Sequence, residues 1–303
     1  MTDPAATLTN FRRYAGLISP MLTVPEPFEA VRESADAVQV ERGTLFPLFL
    51  LNPQTASSER FERLIELARS SRLGELAVVD RGGHQRPAYR GLLIYCCLQA
   101  YRIAYETLPQ LQFGRWEEAL RTYCDLLESD LGAIPLSDHS APAAHGALIC
   151  EAAWAALALQ VAGKVFIRDA WTDLASATFG TIARAQTATG ALLAATASDN
   201  PETHWYHELV LLHAAASYAV QAEDRTVAAA VRSAAEFHQA ETQPDHATEH
   251  PYALFAFIWN PATHLLADQL LHAAQTHSPA GLDGISLMLL ADALYCLRLF
   301  VKS

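Results

Sequence analysis

The chain has 303 residues, 51% of them hydrophobic and 18% charged, which supplies ample material for a core and excludes a disordered protein. Its formal charge of -12 argues against nucleic acid, whose binding draws largely on Lys and Arg neutralising phosphates. The five cysteines, Cys96, Cys97, Cys124, Cys150 and Cys296, are odd in number and lie in apolar stretches, so reduced, buried thiols are expected, as in a cytoplasm.

No basic segment followed by an apolar run opens the chain, so no secretory leader is expected. Residues 28–38 and 60–68 read as amphipathic helices with a short apolar segment, 45–51, between them. Residues 75–80 can form a short strand, with nothing else arguing for a sheet. From about residue 88 two kinds of helix alternate. Residues 92–104 are apolar all round, whereas 115–130 carry one stripe, Trp116, Leu120, Tyr123 and Leu127, at steps of three and four. Residues 147–161 are apolar except for Glu151, a carboxylate expected either to face the interior with a raised pKa or to pair with an arginine. The stripe over 165–185 is Phe166, Ile167, Ala170, Trp171, Leu174, Thr178 and Ile182. Residues 209–220 are apolar again. The stripe over 226–241 is Val227, Ala230, Val231, Ala234 and Phe237. Residues 252–259 are apolar, 262–275 carry Leu265, Leu266, Leu270 and Leu271, and 285–301 are apolar.

Striped helices face solvent on one side, and helices apolar all round are buried on every side. An inner ring wrapped by an outer ring satisfies the alternation. The fold expected is therefore all-α, a single domain over 1–303, of (α/α)6 toroid type. Links leading out of buried helices are short, as at Gly163-Lys164, 222–225 and Asn260-Pro261; Asn260 suits a cap and Pro261 the first helical position. Links leading into buried helices are long and polar: 73–87, 131–142, 187–203 and 242–250. The stretch 143–161 is apolar, but a buried helix explains it better than a membrane span.

Histidines and acids gather in those long links and at the helix starts that follow: His145, His204, His207, Glu208, His246, Glu249, His250 and Asp283. His204 and His207 lie three apart, as do Trp205 and Glu208, so each pair shares a helical face. Trp205 and Tyr206 offer a stacking platform for a sugar ring, and His207 with Glu208 offers proton exchange. The competing expectation is that these groups cap helices and fill the mouth of the core, and Asp283-Gly284 reads first as a cap. His246-Ala-Thr-Glu249-His250 has the H-x-x-E-H spacing of inverted zinc peptidases. Pro251 disfavours helical geometry at His250, and no glutamate follows Glu249 to complete a ligand set. No metal or other cofactor is expected.

The paired alternation resembles the (α/α)6 toroid of many polysaccharide lyases and several glycoside hydrolases. Asn200, His204 and Trp205 ahead of an apolar helix resemble the Asn-His-x-x-Trp helix start of alginate-lyase-like and heparinase-like toroids. Here Pro201-Glu202-Thr203 separates the Asn from the His, which those families keep nearly adjacent. The resemblance implies that Asn200 neutralises a uronate carboxylate, with His204 and Tyr252 as proton-transfer groups. The expectation is a carbohydrate-active enzyme, lyase or hydrolase, with catalytic groups among His204, His207, Glu208, His246, Glu249 and Tyr252. Asn200, Trp205, Tyr206, His145, His250 and Asp283 would bind substrate. The expected partner is a saccharide or other small molecule, with neither nucleic acid nor membrane. The alternative is a non-catalytic helical scaffold that binds a protein through the same end.

Overall fold

The computed structural model describes residues 4–22, 30–31, 40–41, 46, 50–51, 62, 77–79, 85–108, 113–134, 136, 144–195, 200–241, 250–276 and 282–302. The protein is all-α in class. Five helices are buried along most of their length: α2 (Arg90–Thr107), α4 (Ala144–Phe166), α6 (Pro201–Ala222), α8 (Leu254–Trp259) and α10 (Gly284–Lys302). Between them run half-exposed helices α3 (Gly114–Ala133), α5 (Asp169–Arg184), α7 (Arg225–Glu241) and α9 (His264–Thr276). The alternation read from the sequence is therefore present from residue 90 onward.

The buried helices pack in succession: α2 on α4, α4 on α6, α6 on α8 and α10, and α8 on α10. The half-exposed helices lie outside them, α3 over α2 and α4, α5 over α4, α7 over α6, and α9 over α8. The two extremes of the series also meet. Tyr95 on α2 donates to Asp292 on α10, and the Arg102 guanidinium lies 5.8 Å from the centre of the Tyr295 ring. Phe46 stands edge-on to both Tyr95 and Tyr295, at 6.5 and 6.0 Å.

One backbone contact fixes how α2 lies on α4. A Cβ on Gly91 would fall 2.2 Å from the backbone nitrogen of Ala155 and 2.5 Å from the carbonyl carbon of Trp154. Only glycine permits that approach. It brings the Gly91 N–H, which has no partner within its own helix, to 3.0 Å from Glu151 Oε1. Glu151 thus serves a backbone donor, while Arg90 pairs with Asp130.

Several local expectations hold. Asn260 Oδ1 accepts from Ala262 N at 3.1 Å, with Pro261 first in a 3-10 turn that runs into α9. Asp283 Oδ1 accepts from Ser286 N at 2.6 Å, capping α10. All five cysteines are buried and free. Residues 77–79 are extended and pair antiparallel with 85–87.

Others change. The chain turns at Ile167, not at Gly163-Lys164, because α4 continues to Phe166. Ile167 adopts φ 56° and is 90% exposed, so it belongs to the turn and not to the stripe of α5. Leu265 is likewise exposed. Ala30–Val31, inside an expected helix, is extended and pairs with Val40–Glu41; most of 28–38 and 60–68 lies outside the described residues. A helix that was not expected, α1 (Pro4–Ile18), packs on α10. Phe11, Tyr14 and Ile18, spaced three and four apart, are its buried stripe, with Phe11 5.0 Å from Phe300 of α10 and Tyr14 5.6 Å from His264 of α9; a buried Phe or Ile is worth roughly 1.5–3 kcal/mol. Segments 146–166 and 284–301 are long and apolar enough to cross a membrane, but 78% of the 18-residue apolar window in each is buried within the fold.

Candidate active site

Four of the buried helices begin at one cluster of rings. Tyr89 immediately precedes α2, Tyr206 and His207 lie in the second turn of α6, His250 and Tyr252 precede α8, and Asp283 precedes α10. The Tyr89 hydroxyl lies 2.8 Å from His207 Nδ1. The Tyr206 ring stacks on Tyr89 at 6.4 Å and meets Tyr252 edge-on at 5.1 Å. His250 stacks on Tyr252 at 4.9 Å with their planes 9° apart. Asp283 Oδ2 accepts from the Tyr252 hydroxyl at 3.0 Å. It also lies 3.1 Å from His250 Nδ1, a contact bent away from ideal hydrogen-bond geometry. None of the six side chains' residues is more than 9% exposed.

The surroundings are tight. Gly146, in the first turn of α4, lies so near that a Cβ there would meet His207 Cδ2 at 3.4 Å. The Cys150 thiol donates to the His207 carbonyl at 3.1 Å. Burial, then the neighbouring Cys150 and Tyr206, pushes the Tyr89 hydroxyl well above its usual range, so it persists as a neutral phenol. Burial likewise raises the Glu151 carboxyl to about 7, against the opposing pull of the Gly91 N–H and the Arg90 charge.

Of the residues expected at a site, His207, Tyr206, Tyr252, His250 and Asp283 come together. Tyr89 joins them; a phenol at the head of the apolar stretch 92–104 was the signal for it in the sequence. Glu208 points elsewhere. Its two oxygens accept the backbone N–H groups of Leu192 and Leu193, each at 2.6 Å, and Oε1 lies 3.4 Å from His238 Nε2. Trp205 faces Phe237 and His238 on α7. Trp205 and Tyr206 therefore form no common platform, since successive helical residues point about 100° apart. His204 is half-buried with its ring edge-on to Trp205 at 5.2 Å. Asn200 Oδ1 caps α6, accepting from Glu202 N at 2.9 Å and Thr203 N at 3.3 Å. His145 belongs to the first turn of α4. His246 and Glu249 lie outside the described residues. Among the described residues no three His, Cys, Asp or Glu side chains are grouped to hold a metal ion.

A second polar group lies deeper, where α2, α6 and α10 meet. Asp292 accepts from Tyr95 and lies 3.1 Å from His213 Nε2. Gln99 and Gln221 donate to the Tyr95 oxygen at 2.9 and 2.8 Å, and Ser217 stands 3.3 Å from it. His213 and Asp292 are essentially fully buried. Neither residue figures among the expected site residues, because both lie inside the apolar stretches 209–220 and 285–301 and not in the long polar links.

No family model matches the chain, and no curated protein or solved structure matches it. Its functional reading therefore rests on this geometry.

Proposed function

We propose that the protein is a carbohydrate-active enzyme, a lyase or hydrolase built on an (α/α)6-type toroid, whose acid–base groups are those of the rim cluster. The toroid reading draws support from the succession of buried helices, the half-exposed helices outside them, and the meeting of α2 with α10. The observation that carries the functional reading is the convergence of Tyr89, His207, His250, Tyr252 and Asp283 from four helix starts. Two imidazoles, each with a hydrogen-bonding or charged partner on one ring nitrogen, are the equipment of proton transfer. Aromatic rings beside them suit a sugar face. The partner is a saccharide or similar small molecule, and the cytoplasm is the compartment that the free thiols favour.

The test is turnover of mixed polyuronides and neutral oligosaccharides, followed by ultraviolet absorbance for unsaturated sugar and by reducing ends for hydrolysis. Wild type is expected to convert at least one class, and His207→Gln and His250→Gln to lose on the order of 10²–10⁴-fold in kcat while still folding. Conversion that survives both substitutions refutes the assignment.

The burial of all six residues favours a second reading, a non-catalytic helical scaffold in which the cluster plugs the core. On that reading the same substitutions lower thermal stability and no saccharide is converted.

A further inference from the structure

The partners of the two rim histidines differ in kind. His207 Nδ1 faces a phenol, and His250 Nδ1 faces a carboxylate. A phenol in a buried site gives its hydrogen to the best acceptor in reach, and an imidazole nitrogen is a stronger acceptor than a thiol or a ring. A carboxylate oxygen can only accept, and a nitrogen lone pair 3.1 Å from it would be repelled, so the hydrogen belongs on that nitrogen.

We infer that His207 and His250 are held in opposite neutral tautomers, His207 with its hydrogen on Nε2 and His250 with its hydrogen on Nδ1, so that His250 is the proton acceptor and His207 a hydrogen-bond donor. This rests on the reading of the cluster as an acid–base site. In the reacting complex a substrate X–H bond breaks and its proton joins His250 Nε2. The resulting imidazolium is neutralised by Asp283. The electron pair left behind moves toward a substrate oxygen able to hold the charge. His207 keeps its Nε2 hydrogen. Replacing it would take the Tyr89 proton, and burial makes a tyrosinate there costly. Proton exchange between His207 and Glu208 is not part of the scheme, because Glu208 is committed to Leu192 and Leu193. Tyr89 and Asp283 are positioning residues. The substrate class is one that offers an acidic hydrogen beside an oxygen able to gather charge.

Long-range proton–nitrogen NMR of the labelled full chain at neutral pH reads the protonated nitrogen of each ring, and His207→Gln and His250→Gln assign the two rings by loss of signal. Hydrogen on Nε2 of His207 and on Nδ1 of His250 is the expected result. One tautomer shared by both rings, or the reverse pair, overturns the inference. Asp283→Asn keeps an oxygen to cap Ser286 N but can turn an amide toward His250; it is expected to move the His250 hydrogen to Nε2 and leave His207 as it was. Tyr89→Phe is expected to alter His207 alone. If neither ring responds to its partner's substitution, the positioning roles fail. Should Asp283→Asn or Tyr89→Phe not fold, the assigned wild-type spectrum still decides the tautomers. Expected tautomers with no saccharide converted would sink the carbohydrate reading and leave this one standing. Conversion undiminished in His250→Gln would sink the acceptor assignment alone.

Discussion

Replacing Glu151 with glutamine isolates the cost of a buried charge. The glutamine side-chain oxygen can still accept the Gly91 N–H, so the contact between α4 and the head of α2 persists. What disappears is the titration. Burial raises this carboxyl from 4.5 to about 7 in the folded chain. Between those values the folded state binds the proton and the unfolded state does not, so stability falls as pH rises through the window. The loss is complete above about pH 8, and at 1.36 kcal/mol per pKa unit it comes to roughly 3 kcal/mol. Urea unfolding of both proteins at a series of values from about pH 5 to about pH 8 measures it, since other titrating groups cancel in the difference. The glutamine variant is expected to gain on the wild type steadily with pH, by roughly 2–3 kcal/mol over the range, most of the full effect. Parallel stability curves would refute the reasoning and mean that Glu151 ionises in the fold as easily as in the unfolded chain.

Gly91→Ala drives a methyl group into the backbone of α4, and neither helix can yield by a side-chain rotation alone. A loss of about 3 kcal/mol or more in urea unfolding is expected, whereas Gly16→Ala, with open space around it, should match or slightly exceed wild type. Asp292→Ala takes the acceptor from the Tyr95 hydroxyl hydrogen and the partner from His213 Nε2 in the interior, with an expected cost of about 1–3 kcal/mol for each group left unsatisfied. Asp292→Asn retains an acceptor and should cost less, so equal losses in thermal unfolding would count against the network.

The chain by itself determined the alternation of buried and half-exposed helices, because each helix records its surroundings in a pattern repeating every 3.6 residues. It also determined the caps at Asn200, Asn260 and Asp283, where a short polar side chain serves a donor only two or three residues on. The α1 stripe of Phe11, Tyr14 and Ile18 was there to be read as well. Only the tertiary structure decided which groups meet across helix starts. Tyr89 and His207 are 118 positions apart, and their contact depends on how far α2 and α6 slide along α4, a displacement fixed by close approaches such as Gly91 on Ala155. The same docking gave Asp292 and His213 to each other, whereas Glu208 parts from His207 through the 100° step between successive helical residues and anchors Leu192 and Leu193. Periodicity tells a residue which side of its own helix faces inward. It carries no record of the height at which two helices are docked, and at this cluster that height selects the partners that come from different helices.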